Sequence, residues 1–144
     1  MKEAVVVDCL RTPIGRAHKN RGFFRDVRSD DLAAHCVKSL IERTGIDPGE
    51  IEDVLMGNTQ QSGEQGLNAA RNIALMAGVS VEAGGATVNR LCGSSLQALN
   101  QSAHAIMAGF EDVHVVGGFE HMHHLPMDFN FYLKRLVFVM SLLF

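Results

Sequence analysis

The feature that most constrains this chain is the steady alternation of two hydrophobic periods. "EAVVVDCL" is a compact β-branched run, the pattern of a strand covered on both faces. "SDDLAAHCVKSLIERTG" then places apolar residues at Leu32, Ala33, Cys36, Val37, Leu40 and Ile41, the spacing of an amphipathic helix. Ser29 or Asp30 is expected to cap that helix and Gly45 to close it. "DPGEIEDVLMG" predicts a Pro-marked turn and a second strand at about Ile51 to Met56, and "GLNAARNIALMAG" a helix ending at Gly78. "ATVNRL" reads as a third strand, "SSLQALNQSAHAIMAG" as a third helix and "DVHVVGG" as a fourth strand. Strands that alternate with helices can pair in parallel, so the expected fold is α/β and layered, with a parallel-rich sheet. The third helix carries Ala98, Ser102, Ala103, Ala105 and Ala108, small residues on several faces. It is expected to be buried, with neighbours on most sides.

Composition narrows the function classes. At 144 residues the chain has room for one ordinary domain with a core that needs no disulfides. The net charge of −3, from 13 basic and 16 acidic side chains, and the scattered placement of Lys and Arg argue against nucleic acid. The basic stretch "RTPIGRAHKNRGFFR" reads as a mixed surface loop. Three cysteines, at 9, 36 and 92, with no C-x-x-C spacing, fit a reducing compartment and a cytoplasmic protein. "MKEAVVVDCL" lacks the pattern of a secretory signal. After Met127 the character changes, and residues 128–144 end in a dense apolar run. From Leu136 to Phe144 it falls well short of the ~18 to 20 apolar residues of a membrane helix, so no membrane role is expected.

Cys92 stands at the seam between the third strand and the third helix. Ser94 with Gln97 forms an S-x-x-Q pattern, the expected capping box of that helix. A thiol just outside a helix N-terminus meets unpaired N–H groups and aligned peptide dipoles, which favour its anion by roughly 1 kcal/mol, or about one pKa unit. Gly93 and Ser94 add little bulk on the exit side, and the layout is analogous to the strand–nucleophile–helix elbow of serine hydrolases.

The other reactive residues read more plainly. Cys9 and Cys36 fall on expected strand and helix core positions. "HMHH", with His121, His123 and His124, has no second cluster and no regular ligand spacing, so no metal is expected. His104 and His114 read as surface or core-edge residues. Asn89 and Arg90 read as polar side chains ordering a strand end or a subunit contact, and Glu120 as one securing backbone near the cysteine. No residue is assigned to substrate binding. "GNTQQSGEQG" lacks the G-K-[ST] ending of a phosphate loop.

At "NRLCGSS" the chain resembles the nucleophile motif of thiolases, N-x-x-C-G-S-S/G. "VVVDCLRTPIGR" is similar to the family's opening strand and loop, "MGNTQQSGEQGLNAARNIAL" to its next strand and G-x-N-x-A-R helix, and "VVGGFEHM" to its G-G-x-E-x-M segment. The forms "QQSGEQGLNAARN" and "EHMHHLPM" most resemble the thiolase subunit of the fatty-acid β-oxidation complex, with His123 where that pattern leads one to expect glycine. The resemblance implies an incomplete thiolase N-terminal domain over residues 1–127, a parallel-rich mixed sheet around a buried central helix, and a divergent apolar tail over 128–144. It implies that Cys92 attacks the keto carbonyl of a 3-ketoacyl-CoA, that its backbone N–H can serve the oxyanion, and that coenzyme A is co-substrate, with no other cofactor. It also implies a homodimer, contact with the other subunit of a β-oxidation complex, and "GNTQQSGEQG" as an interface loop. The family's G-H-P, C-x-G and N-E-A-F motifs are not among these 144 residues. The expectation is therefore a thiolase fragment without its acid–base half, inactive alone; the alternative is a non-catalytic truncated or frame-shifted product that only associates with a partner.

Overall fold

The computed structural model describes residues 2–18 and 20–124. Its elements run α1 (Ser29–Thr44), β1 (Asp53–Gly57), α2 (Ala69–Met76), β2 (Ala86–Val88), α3 (Ser94–Ala108) and β3 (His114–Gly118). Short 3-10 turns at Pro48–Glu50 and Gly63–Gln65 join them. The sheet order is β2-β1-β3, and both pairings are parallel, with Leu55 opposite Ala86 on one side and Val116 on the other. The chain is thus α/β and layered, as its alternation of periods requires. The expected tail over 128–144 lies outside the described residues.

The period of two along β1 assigns the faces. Val54 and Met56 join the core with Ala33, Val37 and Ile41 of α1 and Ile73 and Ala74 of α2. Leu55 and Gly57 point the other way, where α3 lies. Several helix ends follow the sequence. Gly45 closes α1 at φ 70°, its N–H bonded to Ile41 O, and Gly78 follows α2 at φ 87°, a left-handed conformation that glycine adopts without steric cost. The start of α1 differs from expectation. Arg28 is the residue before the helix, and neither Ser29 nor Asp30 caps it; Ser29 N–H instead donates to Glu64 Oε1 at 2.6 Å.

Two expectations about the N-terminal run fail. Residues 3–10 join no ladder among the described residues, and Val5, Val6 and Val7 are 70%, 73% and 83% exposed. β-branched residues favour extended backbone, but a strand also needs a neighbour offering N–H and C=O groups, and none among the described residues supplies them. Polar tethers hold the run instead: Arg43 binds both carboxylate oxygens of Asp8 at 2.6 Å and Cys9 O at 2.7 Å, and Lys2 pairs with Asp112. Cys9 is therefore exposed rather than in the core, while Cys36 is half-buried on α1.

α3 touches the sheet along one narrow face. Ser94, Ala98 and Ser102 are its buried residues, whereas Leu96 and Leu99 stand open. The small residues therefore serve close approach on one side, and the cover expected on most sides is not provided by the described residues. That approach depends on two glycines paired in register, Gly57 of β1 and Gly118 of β3. A Cβ on Gly57 would lie 2.3 Å from Ser95 N and 2.5 Å from Ser94 C, and one on Gly118 would lie 1.9 Å from Ser95 Oγ. A side-chain atom can rotate away, but a helix backbone cannot. Gly57→Ala is therefore expected to lower stability by about 1–3 kcal/mol, and Gly118→Ala by less, as read from urea unfolding of the two variants.

Candidate active site

The first turn of α3 brings Cys92 to the carboxyl end of the sheet, where all three parallel strands stop together: Gly57, Val88 and Gly118 are the last strand residues. Beyond them the backbone groups lose their ladder partners, and side chains take over. Asn58 is 1% exposed; its N–H donates to Val88 O at 3.0 Å and its Nδ2 to Phe119 O at 2.7 Å, bridging the ends of β2 and β3. Glu120 accepts from Thr59 N at 2.8 Å, Gln60 N at 3.3 Å, Gln65 Nε2 at 2.8 Å and the Thr59 hydroxyl. Asn89 Nδ2 donates to Thr59 O at 3.0 Å. The structure thus puts Glu120 and Asn89 where sequence reasoning does, as side chains that order backbone beside the cysteine.

The turn carrying Cys92 is wound tightly. Leu91 sits at φ 49°, in the left-handed region that a branched side chain rarely adopts. Three bonds hold it there: Leu91 N donates to Asn89 Oδ1 at 3.0 Å, Ser94 N donates to Leu91 O at 3.0 Å, and Ser94 Oγ donates to the same oxygen at 2.5 Å. Ser94 Oγ also accepts from Arg90 N at 2.8 Å. The expected capping box is not formed. Gly93 precedes the helix, Ser94 is its first residue, and Gln97 pairs with the Arg90 guanidinium instead of reaching back to the backbone. The serine hydroxyl is spent inside the turn, because Leu91 and Arg90 offer backbone partners closer than the helix interior does.

Cys92 itself is an exposed free thiol, separated from the first helical residue only by Gly93. Inside α3 the N–H groups of Ser95 and Leu96 have no acceptor four residues back, so the turn faces the positive end of a helix of 15 residues. Gly93 lies at φ −95°, and a Cβ there would meet only Arg90 O at 3.4 Å. Backbone conformation therefore does not demand glycine at 93, and a side chain there would meet little beyond its chain neighbours. Chemically the arrangement offers an exposed thiol beside the free N–H groups of a helix N-terminus, groups able to serve nucleophilic attack and oxyanion stabilisation.

What sequence reasoning missed is the floor beneath this turn. Gly57 and Gly118 mattered more than any charged residue, and the signal was present in "LMGN" and "VVGG", glycines inside strand patterns, which mark close backbone approach. Among the described residues no group of three or more His, Cys, Asp or Glu side chains has a metal-holding arrangement. His114 is half-buried and meets Ser102 Oγ at 2.8 Å, and His104 is exposed. No helix among the described residues is long and apolar enough to cross a membrane.

Comparison with known proteins identifies the family. The family described as thiolase, N-terminal domain, matches residues 4–135. The chain is 53% identical over 131 residues to a 3-ketoacyl-CoA thiolase of Pseudoalteromonas atlantica, which covers 90% of this chain and 33% of that protein. It is 53% identical over 129 residues to the 3-ketoacyl-CoA thiolase of Aeromonas hydrophila and 54% identical over 129 residues to that of Shewanella loihica, each match covering 89% of this chain and 33% of the relative. It spans about a third of the length of the curated relatives it matches. With its parallel α/β layers and its cysteine at the strand–helix seam, the chain belongs to the thiolase family, an acyltransferase family, and corresponds to its N-terminal portion.

Proposed function

We propose that this chain is the nucleophile-bearing part of an acetyl-CoA C-acyltransferase acting on 3-ketoacyl-CoA, with Cys92 as the catalytic residue. The observation that carries the reading is the exposed, free Cys92 thiol at the N-terminal end of α3, in a turn held left-handed at Leu91. The Cys92 thiolate attacks the 3-keto carbon, forming a C–S bond while the carbonyl oxygen takes the negative charge. Collapse restores the carbonyl and breaks the C2–C3 bond; C2 leaves as the acetyl-CoA enolate and takes up a proton. The thiolate of a second coenzyme A then displaces the shortened acyl group, and the Cys92 thiolate is regenerated. In this reading the Cys92 N–H and the helix terminus stabilise the oxyanion. Coenzyme A is a co-substrate, and no resident cofactor is invoked. The reading extends to fatty-acid β-oxidation in the cytoplasm, to a homodimer, and to contact with the other subunit of a β-oxidation complex.

Proton transfer is the part that these 144 residues do not supply, since neither the G-H-P nor the C-x-G motif occurs in them. The purified chain alone is expected to show no coenzyme A-dependent cleavage of acetoacetyl-CoA above background, because acid–base groups contribute about 10² to 10⁴ each. The outward side chains Leu96, Leu99 and Met107 of α3 favour the second reading for the isolated chain, a non-catalytic product that associates with a partner.

Cys9 provides a comparison for the nucleophile, being exposed and beside the C-terminal turn of α1, where Arg43 binds its carbonyl oxygen, rather than at a helix N-terminus. At neutral pH, Cys92 at the helix N-terminal end is expected to react with iodoacetamide faster than Cys9, with half-buried Cys36 slowest. Site-resolved mass spectrometry reads the rates; equal labelling of Cys9 and Cys92 would defeat the assignment. Ser94→Ala is expected to cost about 1–2 kcal/mol in urea unfolding, because Arg90 N loses its buried acceptor.

A further inference from the structure

The turn 121–124 carries three histidines, and each one grips the chain that leads into α1. His121 Nε2 lies 3.0 Å from Phe24 O, His124 Nε2 lies 2.5 Å from Arg25 O, and His123 Nδ1 accepts from His18 N at 2.9 Å. His124 Nδ1 is also 2.9 Å from Glu64 Oε1, the oxygen that accepts Ser29 N at 2.6 Å at the start of α1. The rings of His121 and His124 stack with centroids 4.0 Å apart and planes 18° from parallel. Phe24, Arg25 and Ser29, with His121 and His123, wall a cavity of about 440 Å³ between α1 and β3. The fastening of that wall is therefore largely a matter of imidazole chemistry.

The bonds dictate protonation states. Carbonyl and carboxylate oxygens only accept, so His124, facing one of each, must carry protons on both nitrogens. His123 must keep a lone pair on Nδ1 to accept from His18 N. His121, 7% exposed and with no partner at Nδ1, faces Phe24 O with Nε2, the nitrogen that must carry the proton of that bond. The charge facing His124 is consistent with this. Glu64 comes from the turn 62–66 and Asp26 from the chain before α1; Arg28 and Asp30, beside Glu64, neutralise each other through a two-point pair at 2.7 and 3.0 Å.

We propose that His124, stacked on His121 and flanked by His123, is a proton-operated clasp that fastens the chain entering α1 to the turn 121–124 and releases it when the ring loses its second proton. The inference concerns residues away from Cys92 and does not rest on the thiolase chemistry. The signs follow from the contacts. The Arg25 carbonyl first, then the Glu64 carboxylate, hold the His124 pKa above the ordinary histidine value, so its contribution is complete below that value and is lost as pH rises through the raised one. Burial is the largest single effect on Glu64 and pushes it up, but the Ser29 and His124 bonds together outweigh it and hold it below the ordinary carboxylate value. Its contribution is complete above that value and is lost as pH falls through the lowered one. The clasp is thus fully closed between roughly pH 4.3 and pH 6.5.

Histidine ring and amide NMR of the whole chain across pH tests the clasp. The His124 ring is expected to titrate at higher pH than the same residue in an unstructured peptide, and the Ser29 amide shift to follow with the same midpoint. Ser29 amide-exchange protection, corrected for intrinsic rates, is expected to fall on the order of tenfold between about pH 6 and about pH 9, as one charge-assisted contact is lost at a partly exposed site. Glu64→Gln is expected to lower the His124 midpoint, and His124→Gln to flatten the Ser29 response. Should Glu64→Gln fail to fold, His124→Gln decides alone. A His124 midpoint at or below that of the peptide, or a Ser29 response that persists in His124→Gln, overturns the proposal.

Discussion

The close approach of α3 to the sheet is the constraint on which the rest of this structure depends. Backbone meets backbone where the first turn of the helix lies on Gly57 and Gly118, and no side chain fits between. Because these glycines are the last residues of adjacent strands in register, the helix start is fixed against the sheet end in both directions. Cys92, immediately before that turn, inherits its position from contacts made by its neighbours and needs none of its own. This leaves the sulfur exposed without leaving it loose.

The same end of the sheet explains the polar residues. Where parallel strands terminate, the ladder no longer satisfies N–H and C=O groups, and the sequence supplies Asn58, Asn89, Glu120 and Gln65 in their place. The path from Glu120 to Thr59, Asn89 and Leu91 is continuous and reaches the left-handed residue beside the cysteine. A branched residue in that conformation persists only where its surroundings over-determine it, and such strain gathers at functional sites.

Much of this was legible in the sequence because it rests on local patterns. The periodicity of 32–41, Gly45 and Gly78 specify helices and their ends through residues within one or two turns, and the seam at Cys92 is a change of period visible over ten residues. The failures share a physical cause. "EAVVVDCL" has a strand's preferences, but pairing is a non-local property, and its valines find no neighbour among the described residues. The S-x-x-Q pattern has the composition of a capping box, but Ser94 had a competing set of partners in the preceding turn, created by the conformation of Leu91. The glycine floor was readable as unusual residues in strands, yet what would approach them depended on the three-dimensional arrangement.

The polar fastening of the N-terminal run has a consequence for the order in which the molecule comes apart. From α1 to β3 the chain is one cooperative body, since β1 pairs with strands that arrive much later in the sequence and its apolar side chains are buried on both faces. Residues 2–10 include no fully buried side chain and are held at Lys2, Asp8 and Cys9 by ionic and polar contacts near the surface. Contacts of that kind are screened by salt and are worth little individually, so this segment detaches at a small fraction of the free energy needed to unfold the body. Salt therefore acts on the two regions differently: it loosens the leading segment while leaving the packed layers intact, and each detachment lets a run whose three adjacent valines are already open swing toward an unpaired strand edge.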